Sequence, residues 1–503
     1  MTRSVTRRNF LGTALGAAAA ASMGMTAEGG ANRPPNIVII MADDIGYNDL
    51  GSYGQDLFPT PYTDELANQS MRFTDAHTPS AVCSPTRYGV VTGTDPNRRY
   101  HTTHVLFNGE PLVIGEEEPT IASLLKKAGY RTGVVGKWHL GWGDDLPRDL
   151  NNPGRGPNEL GFDYSYCVPD GPDMEPKYYF ENGEVVGGTE PPFESEPELI
   201  TRVGYYLVRH QAVGEWEDRR PQEKIGAHLA DKADAFIEDN KDEPFFLYYP
   251  THSIHFPFVP YPRFEGKSGI GVHGDYVMEW DWAVGRVMQT LDRLGLAGNT
   301  LLIVTSDNGG YGSARENGGH DPNHPWRGSK GSAFEGGHRV PFFARWPGHI
   351  EPGATNDETI SLVDLTATVC ALADAPLPPR AALDSFNLMP ALLNRTDGET
   401  IRPYMVNSTR GMEELALRQG PWKLIYNPEE EKAQLYHLAD DPGETNNLAD
   451  EQPGKVNELL DLLTGYIENG TSRPGASGQG KRFEDLFRER DERNERLEEK
   501  FGS

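Results

Sequence analysis

Cys83 is followed by a proline two residues on and an arginine four residues on, in the run Cys83-Ser84-Pro85-Thr86-Arg87. Proline suits the first turn of a helix, so the pattern sets the Cys83 side chain at the positive end of a helix, where anions are favoured. Arg87 falls one turn later on the same face, and its planar fork can hold a tetrahedral oxyanion beside whatever Cys83 does. An isolated cysteine is more often a packed thiol, so the case rests on what accompanies it. Asn36 to Met41 is a continuous apolar, β-branched run that ends in Asp43-Asp44, and Leu301 to Ser306 is another that ends in Asp307-Asn308. Two strand exits carrying only oxygen donors suit a hard divalent ion, Ca²⁺ rather than Mg²⁺, with no sulfur or imidazole among them to favour zinc.

Three further segments carry cations and imidazoles. In Gly136-Lys137-Trp138-His139-Leu140-Gly141 the Lys and His alternate, so both can face one pocket. The apolar run Pro244 to Tyr249 delivers Thr251-His252-Ser253-Ile254-His255-Phe256-Pro257. From Gly309 to Gly337 runs a long Gly-rich loop in which Lys330 is flanked by Gly and Ser and can approach an anion closely; His320, His324 and Arg327 are its candidate substrate contacts.

Cys83 to Arg87 resembles the C-x-P-x-R activation motif of type I, formylglycine-dependent sulfatases of the alkaline-phosphatase superfamily. Gly136 to Gly141 resembles a second motif of that family, the stretch around Lys330 and Glu335-Gly336-Gly337 resembles its G-x-K-G…E-G-G, and Leu435 to Glu444 resembles the ending of its C-terminal subdomains. The resemblance implies that Cys83 is oxidised to formylglycine (3-oxoalanine) by a formylglycine-generating enzyme that reads the unfolded chain. It implies a Ca²⁺ site of Asp43, Asp44, Cys83, Asp307 and Asn308, with Arg87, Lys137 and Lys330 around the sulfate oxygens. His255, directly before the aromatic-Pro pair, carries over as general acid and His139 as the assisting base, with His252 the weaker candidate. One oxygen of the Cys83-derived hydrate would attack sulfur, and the other would let sulfate depart by elimination. The implied substrate is a sulfated carbohydrate, or an aryl sulfate as surrogate. Two other readings remain open: a phosphate or phosphonate ester hydrolase of the same superfamily, and a sulfated-glycan binding protein without catalysis if Cys83 stays a thiol.

The elements needed to hold these residues define the fold class. Buried-strand signatures at residues 36–41, 131–135, 244–249 and 301–306 read as central strands of a largely parallel sheet, whose carboxyl ends gather ligands. Helical periodicity over about 120–129, 222–240, 276–294 and 361–373 supplies its cover. The expectation is an α/β protein: a large, mostly parallel or mixed sheet sandwiched by helices, with a smaller C-terminal subdomain of short antiparallel strands (404–406, 415–418, 422–426) and a helix over 456–467. Residues 144–221, rich in Pro, Gly and acids, read as long loops of a substrate-specific insertion. The expected divisions are an export signal at 1–30, a catalytic domain at 34–395, a C-terminal subdomain at 400–475 and a charged tail at 476–503 whose mixed-charge run, 481–500, reads as solvated.

Composition narrows the partners. A net charge of −28, from 75 acidic against 47 basic residues, excludes nucleic acid and anionic membrane as general partners and requires any sulfate site to be a local positive pocket. Three widely spaced cysteines form no disulfide framework; Cys167 and Cys370 read as packed thiols, a single bridge between them being left open. Thr6-Arg7-Arg8-Asn9-Phe10-Leu11 resembles the twin-arginine export pattern, and the Ala-rich run after it is too short to span a membrane. The expected location is periplasmic or secreted, and the sequence holds no other membrane-span candidate.

Overall fold

All seven residues of strand β1 (Asn36–Ala42) are buried, because the strand is covered on both faces. Ile37, Ile39 and Met41 enter one apolar core; Val38, Ile40 and Ala42 enter another on the opposite side. The computed structural model describes residues 33–489 and 492, apart from 107–109, 145–149, 172–177, 190–199, 204–205, 210–219, 314 and 397. The export signal expected at 1–30 lies outside the described residues.

The main sheet has ten strands. With β2 (Met71–Phe73), β4 (Arg131–Lys137), β5 (Tyr164–Val168), β6 (Phe180–Glu181), β7 (Glu184–Val185), β10 (Phe245–Pro250), β11 (Thr300–Ser306), β12 (Phe342–Arg345) and β13 (Thr355–Asn356), the order is β13-β2-β12-β11-β1-β10-β4-β5-β6-β7. The run β11-β1-β10-β4-β5 is parallel throughout, and β12 is antiparallel to both its neighbours. This is the mixed, helix-covered sheet that the apolar runs predict. Helices Ile225–Asp239 and Val272–Arg293 cover one face through Leu229, Phe236, Val277, Trp280 and Val284. Helices Cys83–Thr92, Ile121–Lys127 and Leu365–Leu372 cover the other through Val90, Val91, Leu125, Leu365 and Val369.

Residues 144–221 hold more than loops. β5 extends the main sheet, β6 and β7 follow it as a hairpin, and β8 (Ile200–Val203) pairs with β9 (Tyr206–Arg209). Five residues of β5, set among prolines and glycines, are too short a run to signal a strand by periodicity, and their partner β4 supplies the order. A further short pair joins β3 (Ala76–His77) to β14 (Ile360–Ser361).

The C-terminal part is an antiparallel meander of β15 (Met405–Ser408), β16 (Leu415–Gln419), β17 (Trp422–Asn427) and β18 (Lys432–His437), backed by helix Pro453–Asn469 through Leu459, Leu463, Tyr466 and Ile467. The charged stretch after it is not wholly solvated: Leu486 is buried in this core, and Phe483 and Phe487 pack against it. Three apolar residues at spacings of three and one, dispersed among charges, are enough to anchor one turn face.

Candidate active site

Four adjacent parallel strands deliver the polar residues. β11, β1, β10 and β4 end, in that order across the sheet, in Asp307-Asn308, Asp43-Asp44, the His252 to His255 loop, and Lys137. The exits stay close because backbone groups bind across them: Asp307 N donates to Ala42 O at 3.1 Å, Asp43 N to Ser253 O at 2.9 Å, and Ile254 N to Asp43 O at 2.6 Å. Asp44 and His139 both adopt left-handed φ, 70° and 56°, a conformation that costs energy and is held only where the surroundings enforce it. Gly136 has φ 133°, and a Cβ there would stand 1.8 Å from Pro250 O, so only glycine lets β4 run this close to the end of β10.

Cys83 opens helix Cys83–Thr92 and is buried. Its position is secured on three sides: Leu106 N donates to Ser84 Oγ at 3.1 Å, Gly331 N to Ala81 O at 2.8 Å, and Ala81 N to Ser408 O at 2.9 Å. The thiol and the carboxylates of Asp43 and Asp307 offer atoms that all lie within 4.8 Å of one another.

The cations converge on the same place. Arg87 donates from Nε and Nη2 to Asp307 Oδ2 at 3.0 and 2.6 Å, and from Nη1 to Lys137 O at 2.7 Å. Lys137 Nζ lies 2.7 Å from Asp43 Oδ2, and Lys330 Nζ lies 2.5 Å from Asp44 Oδ1. Burial alone would raise the Asp43 carboxyl, but Lys137, His255, Arg87 and Lys330 together hold it well below the usual range. Burial and the Asp43 charge push Asp307 the other way, well above it. Burial would also lower Lys330, yet Asp44 and the neighbouring acidic groups raise it, so it stays a cation.

A divalent ion fits this donor set. Asp43 Oδ1 and Asn308 Oδ1 are buried without a hydrogen-bond partner, and Asp44 Oδ1 has only cationic or amide donors, Lys330 and Asn308 Nδ2, the latter at 2.8 Å. Two orphaned oxygens beside crowded carboxylates are the condition that a hard cation relieves.

The imidazoles differ in state. His139 Nε2 donates to Leu106 O at 2.8 Å, which leaves Nδ1, buried and without a hydrogen-bond partner, as a bare acceptor. Burial and the Lys137 charge hold this ring well below its ordinary pKa, hence neutral. His255 is partly exposed, donates from Nδ1 to Phe256 O at 2.6 Å, and shares a 4.8 Å neighbourhood with Asp43 and Asp44. His252 is buried, bonded from Nε2 to the Tyr276 hydroxyl at 2.8 Å, and pushed down to about 3 by burial. All the residues expected to form the site, Cys83, Arg87, Lys137, His139, His255, Lys330, Asp43, Asp44, Asp307 and Asn308, thus come together.

The other candidates in the Gly-rich loop have different duties. His320 is 2% exposed, and it and His273 each donate from Nε2 to Asp49 Oδ1, at 2.8 and 2.7 Å. It is a buried tie among three segments and cannot meet substrate. Arg327 reaches back to Glu444 O and stacks 3.8 Å over Phe334, and His324 is exposed. Sequence reasoning missed Asp49, His273 and the buried cluster around His77, Glu335, His338 and Lys423, because their partners are remote in sequence. In that cluster Lys423 Nζ sits 3.0 Å from Glu335 Oε1 and 3.1 Å from His338 Nε2, so an ammonium already fills the space between them. It also missed Arg410, pushed down to about 10 by burial against the pull of Glu413 and Cys83, which brings the turn between β15 and β16 into the electrostatics of the pocket. Cys167 and Cys370 are buried free thiols and form no bridge.

A carboxylate-rich pocket at the carboxyl ends of parallel strands, with a cysteine on a helix N-terminus and three cations around it, is the arrangement of a hydrolase for oxyanion esters. The sulfatase family model matches residues 35–375, and the chain belongs to that family; it is a sulfuric ester hydrolase. A model described as the C-terminal part of N-sulphoglucosamine sulphohydrolase matches residues 324–469. An N-acetylgalactosamine-6-O-sulfatase of Bacteroides thetaiotaomicron is 39% identical, over 86% of this chain and 93% of that protein. Human arylsulfatase A is 36% identical, over 86% of each. A solved Bacteroides thetaiotaomicron protein of glycosaminoglycan metabolism is 37% identical with a TM-score of 0.77, covering 86% of this chain and 99% of that one. Among the described residues no helix is long and apolar enough to cross a membrane.

Proposed function

We propose that this sulfatase removes sulfate from a carbohydrate, with an N-acetylgalactosamine 6-sulfate residue as the leading substrate, at Cys83 converted to formylglycine. The observation that carries the reading is the thiol of Cys83 within 4.8 Å of the Asp43 and Asp307 carboxylates, ringed by Arg87, Lys137 and Lys330. The likeness to an N-acetylgalactosamine-6-O-sulfatase over most of both chains supports the substrate class.

A divalent cation, Ca²⁺ by the hardness of its donors, would be held by Asp43, Asp44, Asp307, Asn308 and the oxygen that replaces the Cys83 sulfur, and would supply acidity to that oxygen. Formylglycine hydrate supplies two hydroxyls on one carbon, one to attack and one to permit release of sulfate. The side chains do the rest. Lys137 and Lys330, fixed cations in a buried site, oppose charge as it grows on the sulfate oxygens, and Arg87 holds Asp307 and the Lys137 backbone in register. His255, when protonated on both nitrogens, keeps its Nδ1–H on Phe256 O and gives the Nε2 proton to the departing sugar oxygen. His139, neutral and bare at Nδ1, takes a proton from the residue-83 hydroxyl.

The pocket belongs to a catalytic domain at 34–395, with 400–475 a subdomain that has its own apolar core. Maturation uses a formylglycine-generating enzyme, and the leader at 1–30 directs twin-arginine export to the periplasm or medium. The test is a comparison of initial rates on N-acetylgalactosamine 6-sulfate and its 6-phosphate. Faster turnover of the sulfate is expected, and preference for the phosphate would overturn the reading.

A further inference from the structure

Among the described residues, the large apolar side chains that stand exposed are Leu57, Phe256, Val272 and Tyr311. Single exposed apolar residues are ordinary on a protein surface, but a group confined to one rim marks an interaction site. Phe256, 56% exposed, directly follows His255, and its carbonyl receives the His255 Nδ1 hydrogen bond. Tyr311, 48% exposed, follows Gly310, whose carbonyl receives the Lys330 amide at 3.1 Å. Each exposed ring is therefore one residue from a group that fixes a cation or imidazole of the pocket.

The rim is also stiff. Phe256 rests edge-on against Phe258, with centroids 6.2 Å apart; Phe258 meets His273 at 5.7 Å, His273 meets His320 at 5.6 Å, and His320 meets Phe58 at 5.4 Å. Val272 and Leu57 are the chain neighbours of His273 and Phe58, so Phe256, Val272 and Leu57 ride on one connected row of rings, while Tyr311 is carried by the Gly-rich loop whose Asn317 Nδ2 donates to the Tyr311 carbonyl at 3.1 Å. Asp49, bonded to both histidines, locks that row to the loop that follows Asp43 and Asp44.

A sulfated sugar is amphipathic. Its sulfate needs the buried cations, while a pyranose presents a face of C–H groups that suits an aromatic ring. We propose that Phe256 and Tyr311 form an aromatic platform for the sugar ring adjoining the sulfated one, so that this enzyme selects a residue within a glycan chain over the free monosaccharide. The inference rests on the carbohydrate reading above. Phe256 and Tyr311 are specificity residues here, since neither bears a group that acts on the ester.

The test measures kcat/KM of the matured full-length enzyme, as wild type, Phe256→Ala, Tyr311→Ala and Phe256→Tyr. The substrates are N-acetylgalactosamine 6-sulfate and a tetrasaccharide with the same 6-sulfated residue at its non-reducing end. Wild type prefers the tetrasaccharide. Each alanine variant loses roughly tenfold of that preference, chiefly through KM, the scale of losing one aromatic contact at a binding surface, and Phe256→Tyr retains it. Equal losses on both substrates, or an unchanged preference in both alanine variants, would overturn the platform. A wild type that cleaves an aryl sulfate but neither sugar would instead overturn the carbohydrate reading on which it depends.

Discussion

Lys137 Nζ and Asp43 Oδ2 are 2.7 Å apart with both side chains fully buried, and the bond bridges the exits of β4 and β1 across the intervening β10. Neither charge is stable there alone: an unpaired buried ion costs several kcal/mol. The pair leaves the ammonium fixed in place before substrate arrives, which is the property that electrostatic stabilisation of a transition state requires. Replacing Lys137 or Lys330 by alanine is expected to lower kcat/KM by about 10²- to 10³-fold each. Steady-state kinetics on an aryl sulfate checks this, and losses below threefold would show that these cations do not meet the ester.

The orphaned Asp43 Oδ1 and Asn308 Oδ1 predict tight coupling between cation and fold. Chelation should lower the melting temperature and added Ca²⁺ should restore it, because a ligand at a hundredfold its Kd stabilises by about 2.7 kcal/mol. Asn308→Ala should weaken the Ca²⁺ response in calorimetry. A melting temperature indifferent to chelator and Ca²⁺ would contradict the assignment.

Asp49 predicts an acid limit. Burial would raise its carboxyl, but His273 and His320 outweigh this and bring it from 3.8 to about 2. A depressed folded-state pKa contributes stability that is complete above 3.8 and lost as pH falls through about 2, here about 2 kcal/mol in all. Asp49→Asn should remove this component, so that its stability relative to wild type is lowest near neutrality and recovers between pH 4 and 2. Denaturant titrations across that window decide the matter.

Lys423 predicts a loss of stability at a buried cluster outside the proposed catalytic set. Its ammonium lies 3.0 Å from Glu335 and 2.8 Å from Glu444, all three fully buried. Lys423→Met leaves Glu444 without its cation and Glu335 dependent on Arg339, 2.7 Å away, and equilibrium unfolding should register a cost of about 3–5 kcal/mol. A loss under about 1 kcal/mol would show that Arg339 on Glu335 and the Glu335 amide on Glu444 suffice without the ammonium.

What the sequence disclosed, and what it hid, follows from the range of each interaction. β1 and β11 were legible because strands buried on both faces must be continuous apolar runs, and their acidic exits followed from strand ends gathering ligands. The Cys83 helix was legible from proline and arginine at fixed offsets. β5 was hidden because its order comes from pairing with β4 rather than from its own five residues. His320 misled because a loop histidine reads as solvated or substrate-facing, and only the fold brings Asp49 to within 2.8 Å of it. Leu486 was hidden by the charges on either side, and its burial depends on the apolar core shared by the four-stranded meander and helix Pro453–Asn469.

The most direct test of the central claim is the mass of the peptide containing Cys83, from enzyme made with a formylglycine-generating enzyme present, measured alongside sulfate release. The expected peptide has exchanged the thiol sulfur for an aldehyde oxygen, and sulfatase activity rises in proportion to the converted fraction. Activity that persists undiminished in protein whose Cys83 is entirely a thiol would contradict the account.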